Sequence, residues 1–284
     1  MTSTIRPIGL LAGSGRFPMA FAEKARAVGR PVVCVGLSGI ADPALRSLVD
    51  RFYWSWPLRF GRMIRLFKRE GVEHVVMAGK VPKADLLHRP WKILSLMPDP
   101  RAIRWWYRRR ADNRDDTLLL SVIDEFAADG LKFESALTLC PELLVRPAVL
   151  TRRPLTAGEK ADIAFGWDLA REMGRLDVGQ SVAVKERAVL AVEAIEGTDR
   201  AILRAGELCR AGGFTVVKVA KPRQDMRFDV PTVGCATIET LRSAGGRVLA
   251  FEAGKTIFLD QAEAVALADR YGLTVVALAE PTAA

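Results

Sequence analysis

Between Lys218 and Gly234 the chain reads KVAKPRQDMRFDVPTVG, which sets Lys218, Lys221, Arg223 and Arg227 among the carboxylates of Asp225 and Asp229. Pro222 and Pro231 keep this segment out of a continuous helix. Cations that alternate with acids just beyond an apolar strand suit phosphoryl chemistry. Lysine and arginine bind the phosphate oxygens, while a carboxylate holds a divalent ion or directs a water. The plainer reading is a solvated loop whose charges pair with one another. Its place at a strand end, with Gly234 opening a further helix, favours a site.

A second candidate is GLLAGSGRFP, Gly9 to Pro18, where an apolar strand runs through Gly13, Ser14 and Gly15 into a helix. Glycines permit close backbone approach and the helix adds its positive end, so the turn suits an anion. A dinucleotide loop would want a third glycine where Pro18 stands and an acid ending the next strand, which instead ends Gly36-Leu37-Ser38, so NAD is disfavoured. The alternative is a tight strand-to-helix turn with no ligand. Gly79 and Lys80, closing the run EHVVMAGK, offer a small residue and a cation at another strand end.

A third stretch, WKILSLMPDPRAIRWWYRRR from Trp91 to Arg110, puts Trp105, Trp106 and Tyr107 beside Arg101, Arg104 and Arg108 to Arg110. Indoles and arginines together suit a membrane interface with anionic lipid, or stacking on nucleic acid. An ordinary helix with its tryptophans in the core explains the same composition. The two histidines, His74 in an apolar run and His88 beside Arg89, do not suggest a histidine metal centre, so any metal is expected to be a hard cation on carboxylates, such as Mg²⁺. No serine stands in a nucleophile elbow, which disfavours covalent acyl chemistry.

These groups need a scaffold, and the chain supplies one. Its 284 residues are half apolar, enough for two cored domains, and a formal charge of +9 favours anionic partners. The cysteines, Cys34, Cys140, Cys209 and Cys235, are too scattered for zinc or dithiol pairs and read as reduced. Neither a cleavable leader nor a span of roughly 20 apolar residues is evident, so any membrane contact is expected to be peripheral. Strand, turn, helix and strand follow one another from Ile8 to Leu37, a further strand ends at Gly79, and Arg114 to Gly130 marks a helix. This alternation predicts an α/β, Rossmann-like N-terminal domain with a parallel sheet, residues 1–140. The proline-rich PELLVRPAVLTRRPLTAGEK predicts a linker into a mixed α/β C-terminal domain, residues 141–284, with a helix from Ala161 to Met173, strands around SVAVKE and LAVEAIEG, and a strand pair RVLAFEAG and KTIFLD.

LLAGSGRFP, VMAGK, LDVGQSVAV, EAIEGTD and VKVAKPRQDMRFDVPTVG, taken in order over nearly the whole chain, resemble the LpxI-type UDP-2,3-diacylglucosamine pyrophosphatases of Gram-negative lipid A synthesis. That resemblance implies two domains with the site between them, and hydrolysis of UDP-2,3-diacylglucosamine to UMP and 2,3-diacylglucosamine 1-phosphate (lipid X). It also implies a divalent cation, Mg²⁺ or another such as Mn²⁺, and a homodimer on the cytoplasmic face of the inner membrane. It makes Asp225 the essential carboxylate, preceded by Lys218 and Lys221, with Gly13, Ser14 and Gly15 as the glycine turn. Gln180 and Thr198 join Gly79 and Lys80 as expected substrate contacts. On this basis a cation on Asp225 and Asp229 bridges to the diphosphate, Lys218, Lys221 and Arg227 offset phosphoryl charge, and a water attacks phosphorus. The rivals are a nucleotide-sugar or phospholipid binder without turnover and a nucleic-acid module; no nucleic acid is expected.

Overall fold

The computed structural model describes residues 6–81, 98–108, 115–222, 225–227 and 230–279, and the side chains of all of these but 115–118. By internal contacts the chain divides into two compact units, Met1–Pro141 with Asp225–Phe228, and Glu142–Gln224 with Asp229–Ala284. Asp229, Arg223, His88 and the stretch from Trp91 to Met97 lie outside the described residues.

In the first unit, β1 (Ile8–Ala12), β2 (Val32–Leu37), β3 (Arg51–Ser55), β4 (His74–Ala78) and β5 (Lys132–Glu134) form a sheet in the order β3-β2-β1-β4-β5. Every pairing is parallel. Helix α1 (Phe17–Ala27) buries Phe21, Ala22 and Ala25 and packs on β2 and β4. Pro18 fits its first turn, where a missing N–H leaves no bond unmade. Helices α2 (Phe60–Arg69), α3 (Pro100–Arg108) and α4 (Asp115–Ala127) share one apolar cluster with Val33, Val35, Leu37, Val75 and Phe133 of the strands. Within it Phe67 and Phe126 are fully buried, each contributing about 1.5–3 kcal/mol. Arg101 ties α3 to α4 through Glu125, at 2.7 Å, and Asp129.

The second unit carries a mixed sheet in the order β6-β13-β11-β9-β7-β8, and a separate parallel pair of β10 and β12. Its strands are β6 (Ala148–Val149), β7 (Ser181–Lys185), β8 (Ala188–Val192), β9 (Thr215–Lys218), β10 (Thr232–Val233), β11 (Val248–Glu252), β12 (Ile257–Phe258) and β13 (Thr274–Leu278). Alternation along the strands sorts two cores. Val182, Val184 and Val217 meet Ile163, Trp167 and Ala170 of α5 (Ala157–Arg175). Ala183, Val216 and Leu249 turn instead toward α6 (Thr198–Leu208), α7 (Cys235–Ser243) and α8 (Gln261–Arg270).

Three details differ from the sequence reading. Helix α5 begins before Ala161, because Thr156 and Glu159 form a capping box in which each side chain accepts from the other's backbone N–H. RVLAFEAG and KTIFLD do not pair with each other: β11 lies in the large sheet and β12 pairs with β10. The proline-rich stretch after Pro141 also does more than join, since Val145 enters the core and β6 is an antiparallel edge to β13.

In the first unit, strand order reverses at β1, which has β2 on one side and β4 on the other. The ends of β1 and β4 cross there at close quarters. Gly13 N–H donates to Ala78 O at 2.8 Å, Ser14 N–H to Lys80 O at 2.9 Å, and Lys80 N–H to Ser14 O at 2.9 Å. A Cβ on Gly13 would meet Lys80 O at 2.6 Å, and one on Gly79, whose φ is +92°, would meet Ser14 O at 2.6 Å. Gly15 also has positive φ, +94°, but opens on free space. Gly79→Ala is therefore expected to lower stability by about 1–3 kcal/mol or more, and Gly15→Ala by less. Urea unfolding of the three proteins checks the ranking, and a Gly79→Ala midpoint equal to wild type would show that the crossing imposes no such constraint.

Candidate active site

In the first unit Gly13, Ser14, Gly79 and Lys80 come together at the switch in strand order, the position at which open α/β sheets bind ligands. Their grouping is made by the backbone itself: Gly13 and Ser14 direct their N–H groups to carbonyls of Ala78 and Lys80, and Ser14 Oγ donates to Lys80 O at 3.0 Å. Two N–H groups expected to face an anion are thus engaged within the protein. Gly15 is exposed just before α1 and makes none of these bonds.

Asp225, Met226 and Arg227 count with this unit, and Ser135 Oγ donates to Met226 O at 3.0 Å. The Asp225 carboxylate is gripped by Arg227. Oδ1 accepts from the Arg227 backbone N–H and from Nε, both at 3.0 Å, and Oδ2 accepts from Nη2 at 2.6 Å. These bonds hold the Asp225 carboxyl below its ordinary range against the opposing effect of burial, and they raise Arg227 in turn.

In the second unit the strands assemble a buried polar cluster. Ser181 at the start of β7 stands opposite Lys218 at the end of β9. Lys218 Nζ donates to Thr198 Oγ1 at 3.0 Å and to Thr232 O at 3.1 Å. Thr198 Oγ1 donates in turn to Glu193 Oε1 at 2.9 Å, with Ser181 Oγ at 3.4 Å. Gln180 adjoins the group through its carbonyl, which accepts from Val219 N–H at 3.0 Å. Lys221 Nζ donates to Asp177 Oδ1 at 2.6 Å, an ion pair.

Lys218, Thr198 and Gln180 are therefore neighbours, and Lys218 belongs to a strand rather than to a solvated loop. Sequence reasoning passes over Ser181, Glu193 and Asp177. Their signal is that LDVGQSVAV holds Asp177 and Ser181 along with Gln180, and EAIEGTD holds Glu193 along with Thr198, both residues already singled out.

Elsewhere, Trp105 is core and donates from Nε1 to Ser121 Oγ at 3.0 Å, while Ile103, Trp106 and Tyr107 are exposed on α3 with Arg104 and Arg108. Trp105 thus takes the place in the core that an ordinary helix gives its tryptophans, one residue from an exposed indole. Burial pushes the Cys34 thiol up to about 12, which removes it as a nucleophile.

Asp225 is an ionised oxygen donor, the ligand type that a hard cation takes. Among the described residues no three histidines, cysteines or acids gather to hold a metal. Of the two expected ligands Asp225 is the described one, and both its oxygens are engaged by Arg227.

The sequence model of the LpxI N-terminal domain matches residues 7–143, and that of the LpxI C-terminal domain matches residues 146–276. The chain belongs to the LpxI family. It is 35% identical over 282 residues to the UDP-2,3-diacylglucosamine pyrophosphatase LpxI of Caulobacter vibrioides, covering 95% of this chain and 97% of that protein. Both polar clusters fall inside the stretches matched by the LpxI domains. Asp225 lies within the C-terminal domain match, although its contacts place it in the first unit. Among solved structures, the biotin carboxylase subunit of pyruvate carboxylase is similar at a TM-score of 0.26 and 11% identity, over 66% of this chain and 38% of that one. Biotin carboxylase from Campylobacter jejuni gives 0.26 and 10%, over 72% and 42%. The chain spans about two fifths of those structures, and likeness at this level carries no argument.

Because Arg227 lowers the Asp225 carboxyl, Asp225 is charged at neutral pH and takes up a proton only below its ordinary value of 3.8. Any stability this pair adds is present above that value and lost as the pH falls through the lowered one. Arg227→Gln is expected to move the Asp225 titration upward, read by NMR of the side-chain carboxyl. An unchanged titration would mean that the pair does not form in solution.

Proposed function

We propose that this protein hydrolyses the diphosphate of UDP-2,3-diacylglucosamine to UMP and 2,3-diacylglucosamine 1-phosphate, a step of lipid A biosynthesis. The observation that carries the reading is the likeness to the Caulobacter vibrioides pyrophosphatase over nearly the whole of both chains. The buried lysine of the second unit and the ionised Asp225 of the first are its chemical support.

In this reading Lys218 presents a fixed positive charge at the end of β9, and Thr198 and Thr232 hold its ammonium in one orientation. A charge already oriented and desolvated stabilises the phosphoryl oxygens as charge builds on them, without reorganisation at the moment of reaction. Lys221, steadied by Asp177, adds a second cation. Asp225 has its carboxylate plane fixed by Arg227, and Gly15 with the first turn of α1 offers backbone donors to a phosphate. A divalent cation, Mg²⁺ or Mn²⁺, held by Asp225 and Asp229 would supply charge neutralisation and a more acidic bound water.

The substrate is a lipid, and each methylene removed from water contributes roughly 0.8 kcal/mol. Among the described residues no helix is long and apolar enough to cross a membrane. Exposed Ile103, Trp106 and Tyr107 beside Arg104 and Arg108 support peripheral attachment to an anionic bilayer, at the cytoplasmic face of the inner membrane. A homodimer completes the proposal.

Incubation with UDP-2,3-diacylglucosamine and Mg²⁺ is expected to release UMP, and EDTA to stop it. Asp225→Ala is expected to fold and to lose turnover by about a hundredfold or more. Release of UMP at the wild-type rate by the purified Asp225→Ala protein would remove Asp225 from the reaction. Tight binding of the intact substrate with no UMP would replace hydrolysis by a binding function.

A further inference from the structure

Glu193 stands one hydrogen bond beyond the groups assigned above. It directly follows β8, and its backbone N–H donates to Ser181 O at 2.8 Å, which fixes it against the start of β7. Gly179 lies so close to the Glu193 carbonyl that a side chain there would not fit. The residue is 8% exposed and Lys218 is 5% exposed. Between the two stands the Thr198 hydroxyl, which accepts from Lys218 Nζ at 3.0 Å and donates to Glu193 Oε1 at 2.9 Å. The second carboxylate oxygen, Oε2, is buried and has no hydrogen-bond partner among the described residues.

That last point is the informative one. An acid buried with one oxygen unsatisfied is destabilising, and a glutamine or an apolar residue of similar size would satisfy the fold better. A merely structural role for Glu193 needs a hydrogen-bond acceptor for Thr198, which an amide supplies equally well. What an amide lacks is the negative charge. A desolvated ammonium is stabilised by a charge of opposite sign nearby, and the Glu193 carboxylate is joined to Lys218 through the single hydroxyl of Thr198.

We infer that Glu193 is a positioning residue for the reaction, a buried negative charge that helps hold Lys218 as an oriented ammonium through the Thr198 hydroxyl. The inference rests on the reading of Lys218 as part of the hydrolytic machinery. The relay has a direction: Lys218 donates to Thr198, so the threonine's own proton must point to Glu193, and the lysine's bond to Thr198 in turn depends on that acceptor. Loss of the charge loosens both links while the apolar packing around them stays.

The test is Glu193→Gln, with kcat and KM measured on UDP-2,3-diacylglucosamine beside the melting temperature. A fall in kcat of roughly tenfold to a hundredfold, with KM and melting temperature little changed, is the expected result. Placed on a Lys218→Met background, the same substitution is expected to change the residual kcat by less than about twofold, because the two residues act as a unit. Should Glu193→Gln not fold, Thr198→Val breaks the same relay at nearly equal volume and is expected to lower kcat comparably. A Glu193→Gln protein with wild-type kcat, or one whose loss of activity tracks an equal loss of thermal stability, overturns the inference alone. Full turnover by Lys218→Met overturns instead the assignment of Lys218 on which it stands.

Discussion

An ammonium group removed from water must be surrounded by acceptors and answered by a negative charge, and much of the second unit is arranged around that requirement at Lys218. Antiparallel pairing of β7 with β9 brings Ser181 opposite the lysine, the β7–β8 hairpin returns Glu193 to the same end, and α6 begins with Thr198 between them. Gly197, at φ +83°, lets the chain turn from the hairpin into that helix. Three separate elements therefore converge on one nitrogen. Apolar packing on both faces of the sheet supplies the stability that such a buried polar cluster does not.

The first unit meets a different constraint. Its sheet reverses strand order where β1 and β4 end, and the two ends pass so closely that glycine is demanded at positions 13 and 79 by backbone atoms alone. The glycine pattern that reads as a phosphate loop is therefore in large part a crossing device. Asp225 adds a charge held flat by Arg227, a fork-like pairing that fixes the plane of the carboxylate as well as its ionisation.

Legibility followed locality. Strands β1, β2 and β4 show in the sequence because each is an apolar run with glycine or a turn near its end, and α5 shows through its period, though its start hides in TAGEK until the capping box is seen. Edge strands β3 and β5 lack such marks: RFYWS is largely half-exposed and KFE is three residues long. Within the candidate site, Lys218, Thr198 and Gln180 come from motifs of recognisable character. Glu193 does not stand out, because an acid after a strand is usually solvated and only pairing across β7, β8 and β9 reveals that this one is buried. Likewise the pairing of Lys221 with Asp177, far away in sequence, depends on tertiary structure.

The segment at Asp225 belongs by its contacts to a unit whose main body ends at Pro141. A ribosome therefore finishes the first unit's sheet long before it supplies that unit's last piece, and all of Glu142–Gln224 must emerge in between. The nascent N-terminal half can acquire its hydrophobic core early, yet it receives the Asp225 carboxylate late. The first unit is thereby complete only after much of the second has been made, and no single cut between the two halves yields fragments that each keep their full complement of residues.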